Sequence, residues 1–294
     1  MHVLTLIADR AATALTEALL ARVRDAVGGG AVSILSPGEA ADLALPAAPD
    51  LGAVHAALDG APVDAIAQPA QGRRKRLLVA DMDSTIITGE TLDELADFAG
   101  MKPQIAAITA RAMNGELDFK AALRERVAML KGLPVTALER TWQRVRLTPG
   151  ARELVGTMRA HGALTALVSG GFTFFTRRVA ALVGFDLHRS NTLLDDGAVL
   201  TGQVREPILD RHAKLALLQE LAARDGVGPQ AALTVGDGAN DLDMLRAAGL
   251  GVAFHAKPIV AAEARARVDH ADLRALLFAQ GYRAAEFSHD SATA

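Results

Sequence analysis

The stretch Leu77-Leu78-Val79-Ala80-Asp81-Met82-Asp83-Ser84-Thr85 decides the fold class, because an apolar strand runs directly into two acidic residues. Side chains two positions apart on an extended chain lie on the same side, so Asp81 and Asp83 should face one point. Open α/β sheets bind ligands outside the carboxyl ends of their strands. Two neighbouring carboxylates repel unless a cation separates them or one is protonated. The stretch therefore predicts a catalytic strand end, with an acidic turn that caps the next helix as the alternative.

Three further apolar strands follow, each with a turn and an amphipathic helix after it. They are predicted at residues 163–168, 231–235 and 251–254. Strands that alternate with helices in this way are typical of a parallel sheet. We therefore predict an α/β fold with a doubly wound, mostly parallel, Rossmann-like core. Apolar segments around an Asp-Gly turn predict a hairpin at residues 191–201.

Two regions lie outside this alternation. Residues 89–147 show helical periodicity, with helices predicted at 92–98, 103–113, 119–130 and 135–145, and should form a helical cap. Residues 1–70 should form a small α+β domain with strand, helix, strand, strand, helix and strand at 3–8, 11–27, 31–35, 41–45, 51–58 and 63–67. This order resembles the ferredoxin-like ACT domains, and a purely structural or dimerising unit is the alternative. The core then takes residues 71–88 and 148–294.

Composition excludes several functions. The chain has 294 residues, a net charge of −3 and no cysteine, so disulfide and thiolate chemistry are excluded. The charge balance predicts no nucleic-acid partner, and the basic run Arg73–Arg76 is interpreted as a solvated linker. No stretch is long enough to span a bilayer and no leader is recognisable, so we expect a cytoplasmic protein without a membrane partner.

Three more polar clusters follow strands or open a helix. In Ser169-Gly170-Gly171, backbone N–H groups and the hydroxyl can bind anion oxygens, although an ordinary turn is the alternative. Lys214 lies in the first turn of a helix, where the helix dipole disfavours a cation unless anions compensate it; a surface lysine is the alternative. Gly236-Asp237-Gly238-Ala239-Asn240-Asp241 has an acid where a dinucleotide loop needs its third glycine. Asp237 and Asp241, with Asp81, instead suit Mg²⁺.

In this order the motifs resemble the haloacid dehalogenase superfamily of phosphotransferases. The motifs are Asp81-x-Asp83-Ser84-Thr85, Ser169-Gly170-Gly171, Lys214 and Gly236-Asp237-Gly238-x-Asn240-Asp241. Within the superfamily, residues 77–280 are similar to the phosphoserine phosphatases through Glu90 and the runs 113–119, 123–127 and 254–258. The resemblance implies Mg²⁺-dependent hydrolysis of O-phospho-L-serine to L-serine and phosphate, the last step of serine biosynthesis.

The resemblance also implies roles for individual residues. Asp81 would be the nucleophile that forms an aspartyl-phosphate, and Asp83 the general acid and then base. Mg²⁺ would bind Asp81, the Asp83 carbonyl and Asp237, while Asp241 orients Lys214 and metal-bound water. Phosphate oxygens would contact Ser169, Gly170 and Lys214. Further substrate contacts are implied for Glu90, Met113, Phe119, Arg126 and Asn240.

Two rival functions remain at this point. The chain could act on another small phosphomonoester, or it could be a non-catalytic amino-acid sensor built on the N-terminal domain. The presence of both Asp81 and Asp83 disfavours the sensor, which needs no general acid. The N-terminal domain would regulate the enzyme or form a homodimer. For Met113 and Phe119, packing within the cap is the alternative to substrate contact.

Overall fold

A computed structural model of the chain describes residues 1–10, 15–113 and 117–288, apart from the side chain of Met113. The strands are β1 (His2–Ala8), β2 (Ala31–Ser36), β3 (Ala40–Leu45), β4 (Val63–Pro69), β5 (Leu77–Ala80), β6 (Leu164–Phe172), β7 (Leu187–Asn191), β8 (Leu193–Asp195), β9 (Leu200–Val204), β10 (Ala232–Gly236), β11 (Leu250–Phe254) and β12 (Ala266–Val268). The helices are α1 (Glu17–Ala26), α2 (Leu51–Leu58), α3 (Thr91–Phe98), α4 (Lys102–Met113), α5 (Phe119–Ala128), α6 (Thr136–Trp142), α7 (Ala151–Ala160), α8 (Thr173–Val183), α9 (Arg211–Arg224), α10 (Leu242–Ala247), α11 (Pro258–Glu263) and α12 (Ala275–Ala279).

The central sheet has six parallel strands in the order β12-β11-β10-β5-β6-β7. From β5 the chain first builds one side of the sheet with β6 and β7, and then the other side with β10, β11 and β12. Strand β5 therefore ends at a switch point, where open α/β sheets form their ligand crevice. The predicted fold class is confirmed. Strands β7 and β12 escaped prediction because one is polar and the other has three residues.

Strand β5 is buried on both faces, which explains its uninterrupted apolar sequence. Leu77 and Val79 belong to a cluster that includes Leu218 of α9. Leu78 belongs to the opposite cluster, which includes Leu154 of α7. Alternate side chains thus pack against helices on opposite faces, as a strand requires.

The N-terminal region forms a four-stranded antiparallel sheet in the order β2-β3-β1-β4, with α1 and α2 packed on it. The predicted order of its elements is confirmed. Helix α1 begins later than predicted, because Thr16 is its N-cap and accepts a hydrogen bond from the Leu19 amide at 3.2 Å. Residues 11–14 of the predicted helix lie outside the described residues.

The basic run before β5 differs from its interpretation as a solvated linker. Arg73 forms two hydrogen bonds to Asp42, at 2.7 and 3.0 Å. Lys75 is 8% exposed and donates to the carbonyl oxygens of Gly72 and Gln230 at 2.8 and 3.1 Å. The interpretation is wrong for Arg73 and Lys75, because their acceptors come largely from distant segments that a local charge pattern does not reveal.

The helical insertion returns to the core where it left it, because Ile87 and Leu147 form an antiparallel bridge. Helices α3 to α6 match the four predicted helices, with ends shifted by a few residues. The predicted hairpin is confirmed as β8 and β9, which pair antiparallel. Across the described ranges, no helix is long and apolar enough to cross a membrane.

Candidate active site

The chain turns sharply where it leaves β5. The Asp81 amide still donates to the Val235 carbonyl of β10 at 3.0 Å, so Asp81 is fixed to the sheet. Residues Met82–Ile86 form one wide turn in which Ser84 has a φ of 54°. A positive φ is strained for a residue other than glycine, and such strain is often found at functional sites. After this turn Asp81 and Asp83 both line one cleft, as the sequence predicts.

The cleft has a volume of about 1250 Å³ and lies between the strand ends and the helical insertion. Most of the predicted site residues line it together. They are Asp81, Asp83, Glu90, Phe119, Arg126, Ser169, Gly170, Asp237 and Asn240. The side chain of Met113 lies outside the described part of the chain. One cavity thus joins the acidic strand ends to the candidate recognition residues.

Lys214 is buried directly behind the cleft and holds two carboxylates. Its Nζ lies 2.8 Å from Asp81 Oδ1 and 2.6 Å from Asp241 Oδ1. The other oxygen of Asp241 accepts a hydrogen bond from the Gly238 amide at 3.1 Å. Burial alone would lower the pKa of Lys214, but the two carboxylates outweigh it and raise that pKa. Lys214 is therefore a fixed positive charge, and it orients Asp81.

Asp83 is held by two donors on opposite sides of its carboxyl group. The Thr91 amide donates to Oδ1 at 2.8 Å, and the Ser169 hydroxyl donates to Oδ2 at 3.2 Å. Burial, followed by the nearby charge of Glu90, raises the pKa of Asp83 to about 8. A carboxyl group with such a pKa carries a proton at neutral pH and can give it to a leaving group.

Two glycines are required by close approaches at the site. A Cβ on Gly171 would lie 2.9 Å from Asp83 Oδ2 and 3.0 Å from Ser169 Oγ. A Cβ on Gly236 would lie 2.4 Å from the carboxyl carbon of Asp241. Larger residues would therefore displace the general-acid candidate or the partner of Lys214.

The acidic cluster has the composition of a divalent-cation site. Carboxylate oxygens of Asp81, Asp237 and Asp241 lie within 4.8 Å of one another, and all three residues are buried. Burial and then repulsion from Asp81 raise the pKa of Asp237 to about 6, so a cation would relieve unfavourable charge there. Hard carboxylate oxygens are the ligands that Mg²⁺ prefers. The cluster contains Asp241 as well as the predicted ligands Asp81 and Asp237.

The insertion contributes the other wall of the cleft. The half-buried Arg126 donates to the Ala122 carbonyl at 3.2 Å and to Thr109 Oγ1 at 3.0 Å. Glu90 accepts from the Ser84 hydroxyl at 2.7 Å. Phe119 lies against the phosphate-loop candidate, because a Cβ on Gly170 would be 3.1 Å from its ring. The positive charge of Arg126, the negative charge of Glu90 and the ring of Phe119 therefore lie across the cleft from the acidic strand ends.

Two contacts at the site had no assigned role in the sequence. Lys257 Nζ lies 3.3 Å from Asp237 Oδ2, and the residue lines the cleft. The position of Lys257 just after β11 could have indicated a place in the site, since the carboxyl ends of the strands converge in this fold. Thr109 holds Arg126 from a different helix, and nothing in the local sequence predicts that contact.

Comparisons with known proteins show which family the chain is similar to. The haloacid dehalogenase-like hydrolase family matches residues 78–246. A phosphoserine phosphatase from Archaeoglobus fulgidus is 45% identical over 200 residues, which are 67% of this chain and 58% of that protein. A family hydrolase from Salmonella enterica serovar Typhi has a TM-score of 0.84 at 32% identity, covering 95% of this chain and 98% of that one.

A structure of a phospho-aspartyl intermediate analogue of phosphoserine phosphatase has a TM-score of 0.66 at 38% identity, covering 70% of this chain and 98% of that one. The chain spans 58, 56 and 51% of the length of three curated phosphoserine phosphatases that it matches. The matched region contains all the strand-end motifs described above. The chain therefore belongs to the haloacid dehalogenase-like hydrolase family.

Proposed function

We propose that this protein hydrolyses O-phospho-L-serine to L-serine and inorganic phosphate, the last step of serine biosynthesis. One observation carries the proposal: Asp81 and Asp83 line the same cleft as Arg126 and Glu90. A centre suited to phosphoryl transfer thus faces a cation and an anion that complement the carboxylate and ammonium of an amino acid. The similarity to phosphoserine phosphatases supports the same substrate.

In the first step, an Asp81 carboxylate oxygen attacks phosphorus and the bond from phosphorus to the serine oxygen breaks. The aspartyl-phosphate that forms is a labile mixed anhydride, which suits a two-step hydrolysis. Lys214 contacts Asp81 at 2.8 Å and orients the carboxylate before the attack. The similar phosphoserine phosphatase solved as a phospho-aspartyl intermediate analogue supports an aspartyl species of this kind.

Asp83 moves the proton in both steps. Its raised pKa leaves it protonated, so it protonates the departing serine oxygen. The resulting carboxylate then takes a proton from the water that attacks phosphorus. The bond from phosphorus to the Asp81 oxygen breaks, which regenerates the Asp81 carboxylate and releases inorganic phosphate. The Thr91 amide holds the Asp83 carboxyl group in place, and the Ser169 hydroxyl does so until phosphate binds.

The phosphoryl group is bound by the core. When phosphate binds, the Ser169 hydroxyl donates its one proton to a phosphate oxygen instead of to Asp83, and the Gly170 amide donates to the phosphate as well. Lys214 supplies positive charge from behind Asp81. Asp81, Asp237 and the Asp83 carbonyl would hold Mg²⁺, with Asp241 as a supporting residue, while Asn240 would contact the substrate. When bound, the metal offsets the repulsion between the nucleophile and the phosphate.

The insertion selects the substrate. Arg126 binds the carboxylate of phosphoserine, Glu90 binds its ammonium group, and Phe119 contributes the apolar wall. We further propose three units: residues 1–70 as an ACT-like domain that regulates the enzyme or forms a homodimer, 71–88 and 148–294 as the core, and 89–147 as the cap. A cytoplasmic location fits this role.

A phosphate-release assay across a panel of phosphorylated small molecules tests the proposal. We expect the highest kcat/KM for O-phospho-L-serine, loss of activity with a chelator and recovery with Mg²⁺. A preference of tenfold or more, on the order of 1.4 kcal/mol, for another phosphomonoester would assign a different substrate. Failure to release phosphate from any compound, with serine binding retained, would favour an amino-acid sensor. Asp81→Asn is the matched control for contaminating phosphatases.

A further inference from the structure

We propose that Asn191 is a positioning residue for the phosphate-binding loop formed by residues 169–171. This inference rests on the proposed function, because that function has the loop bind the phosphoryl group. Asn191 is the last residue of β7 and is 3% exposed. It contacts the loop without being among the residues that line the cleft.

The Asn191 side chain connects two segments of the core. Its Nδ2 donates to the Gly170 carbonyl at 2.8 Å and to the Leu209 carbonyl at 3.4 Å. Its Oδ1 accepts from the Leu209 amide at 2.7 Å. Both ends of a buried amide are thus satisfied, which a shorter or apolar side chain would not achieve.

The sheet itself does not hold the loop in this region. The regular register of β6 with β7 pairs Val168 with Arg189, and it resumes only at Phe172 with Asn191. Gly170 lies inside this irregularity, where a backbone carbonyl needs another donor. The Asn191 side chain supplies that donor.

A chain of hydrogen bonds carries this constraint to the reacting groups. The Gly170 carbonyl and the Gly171 amide belong to one planar peptide group, so fixing one end orients the other. The Gly171 amide donates to Ser169 Oγ at 2.8 Å, and Ser169 Oγ donates to Asp83 at 3.2 Å. Rotation of this peptide would therefore move the hydroxyl that binds phosphate and holds the general acid.

The second contact leads to the buried lysine. Leu209 precedes Asp210, which is the N-cap of α9 and accepts from the Ala213 amide at 3.0 Å. Helix α9 carries Lys214. Asn191 thus fixes the phosphate loop relative to the start of the helix that orients Asp81.

The neighbouring Ser190 provides a matched control. It lies on the same strand and contacts the hydroxyls of Thr173 and Thr176 at 3.2 and 2.8 Å. These contacts join β7 to α8 and do not involve the loop. A general weakening of β7 should therefore affect Ser190→Ala and the Asn191 variants alike, whereas loss of positioning should affect only the latter.

The test compares Asn191→Asp, Asn191→Ser and Ser190→Ala. Asn191→Asp retains an acceptor for Leu209 but loses the donor to Gly170, and Asn191→Ser is too short to reach either segment. We expect kcat/KM to fall roughly 10- to 100-fold for both Asn191 variants, because each leaves the buried Gly170 carbonyl without its donor. The loss should appear with both O-phospho-L-serine and p-nitrophenyl phosphate, because both place a phosphate group on the loop. Ser190→Ala should stay within about threefold.

A binding readout keeps the test independent of substrate choice. Inorganic phosphate, titrated calorimetrically into folded Mg²⁺-loaded protein, should bind the Asn191 variants roughly tenfold more weakly than the wild type. Equal phosphate affinity in both Asn191 variants and the wild type would overturn the inference. Wild-type protein that binds phosphate and hydrolyses p-nitrophenyl phosphate but not phosphoserine would instead overturn the proposed substrate, while leaving the Asn191 comparison intact.

Discussion

The charged side chains on the two walls of the cleft differ in their hydrogen-bond and ion-pair partners. The core wall is formed by Asp81, Asp83, Ser169 and Asp237, with Lys214 behind them. Lys214 is 1% exposed, and its Nζ lies within 2.8 Å of two carboxylates. On the cap wall, formed by Glu90, Phe119 and Arg126, the guanidinium is half-buried. It donates to one carbonyl and one hydroxyl, both neutral acceptors.

Under the proposed function, this difference would separate the catalytic residues from those that select the substrate. A buried charge must have its partner in place when the protein folds, since an unpaired one costs several kcal/mol. Under the proposed function, the core wall would therefore be ready for any phosphomonoester before a substrate binds. Arg126 has neutral hydrogen-bond partners and can gain a charge-assisted contact from a substrate carboxylate. We expect substitutions on the core wall to affect all substrates and substitutions on the cap wall to affect only amino-acid substrates.

The largest effect should follow Asp81→Asn. An amide is a poor nucleophile, so turnover should fall by at least about 10⁴-fold with every phosphomonoester. Steady-state phosphate release measures this loss, and intact mass spectrometry verifies that no asparagine has reverted by deamidation. Asp225→Asn, a change at a partly exposed ion pair with Arg76, should leave the rate within about twofold. Appreciable turnover by pure Asp81→Asn would remove Asp81 from the nucleophile role.

Asp83→Asn should have the next largest effect, and it tests whether Asp83 on the core wall transfers a proton. We expect a loss of about 10²- to 10⁴-fold with phosphoserine, the usual effect of losing a general acid. The loss should be smaller with p-nitrophenyl phosphate, because its leaving group needs less protonation. Initial rates with both substrates test this difference. Identical losses would assign Asp83 a structural role instead of proton transfer.

Much of the core wall could be predicted because its residues follow strands in the chain. Asp81 and Asp237 each follow an apolar strand, and Ser169 follows Val168, where the regular pairing of β6 with β7 is interrupted. Parallel strands bring such positions together. The position of Lys214 in a first helical turn also predicted anions near it, and the structure places Asp81 and Asp241 there. Strand-end chemistry is thus readable from local patterns.

The cap wall and the domain contacts were harder to predict, because they depend on pairs far apart in the chain. The partner of Arg126 is Thr109 on another helix. Arg73 looked solvated from its neighbours but lies against Asp42 of the N-terminal sheet. A local charge pattern cannot tell a surface cation from one that a distant carboxylate buries.

Arg126→Ala tests the cap wall directly. We expect a loss of about 1.5–3 kcal/mol in kcat/KM with phosphoserine, the scale of a charge-assisted contact. With p-nitrophenyl phosphate, which has no carboxylate, the rate should change by less than about threefold. The ratio of the two kcat/KM values is the measurement. Equal losses with both substrates would mean that Arg126 supports the cleft as a whole, and the division between chemistry and selection would fail.

The smallest effect should come from Arg124→Ala, on the same helix as Arg126. Arg124 pairs with Glu206 at 2.7 Å, but the two side chains are 52 and 55% exposed. Ion pairs between exposed side chains contribute little, because solvent screens them and both side chains lose mobility. We expect kcat/KM with phosphoserine to stay within about twofold and the melting temperature within about 2 °C. A tenfold loss of activity would show that a surface ion pair sets the cap geometry. The contrast between Arg126 and Arg124 would then reflect cap orientation rather than recognition of a carboxylate.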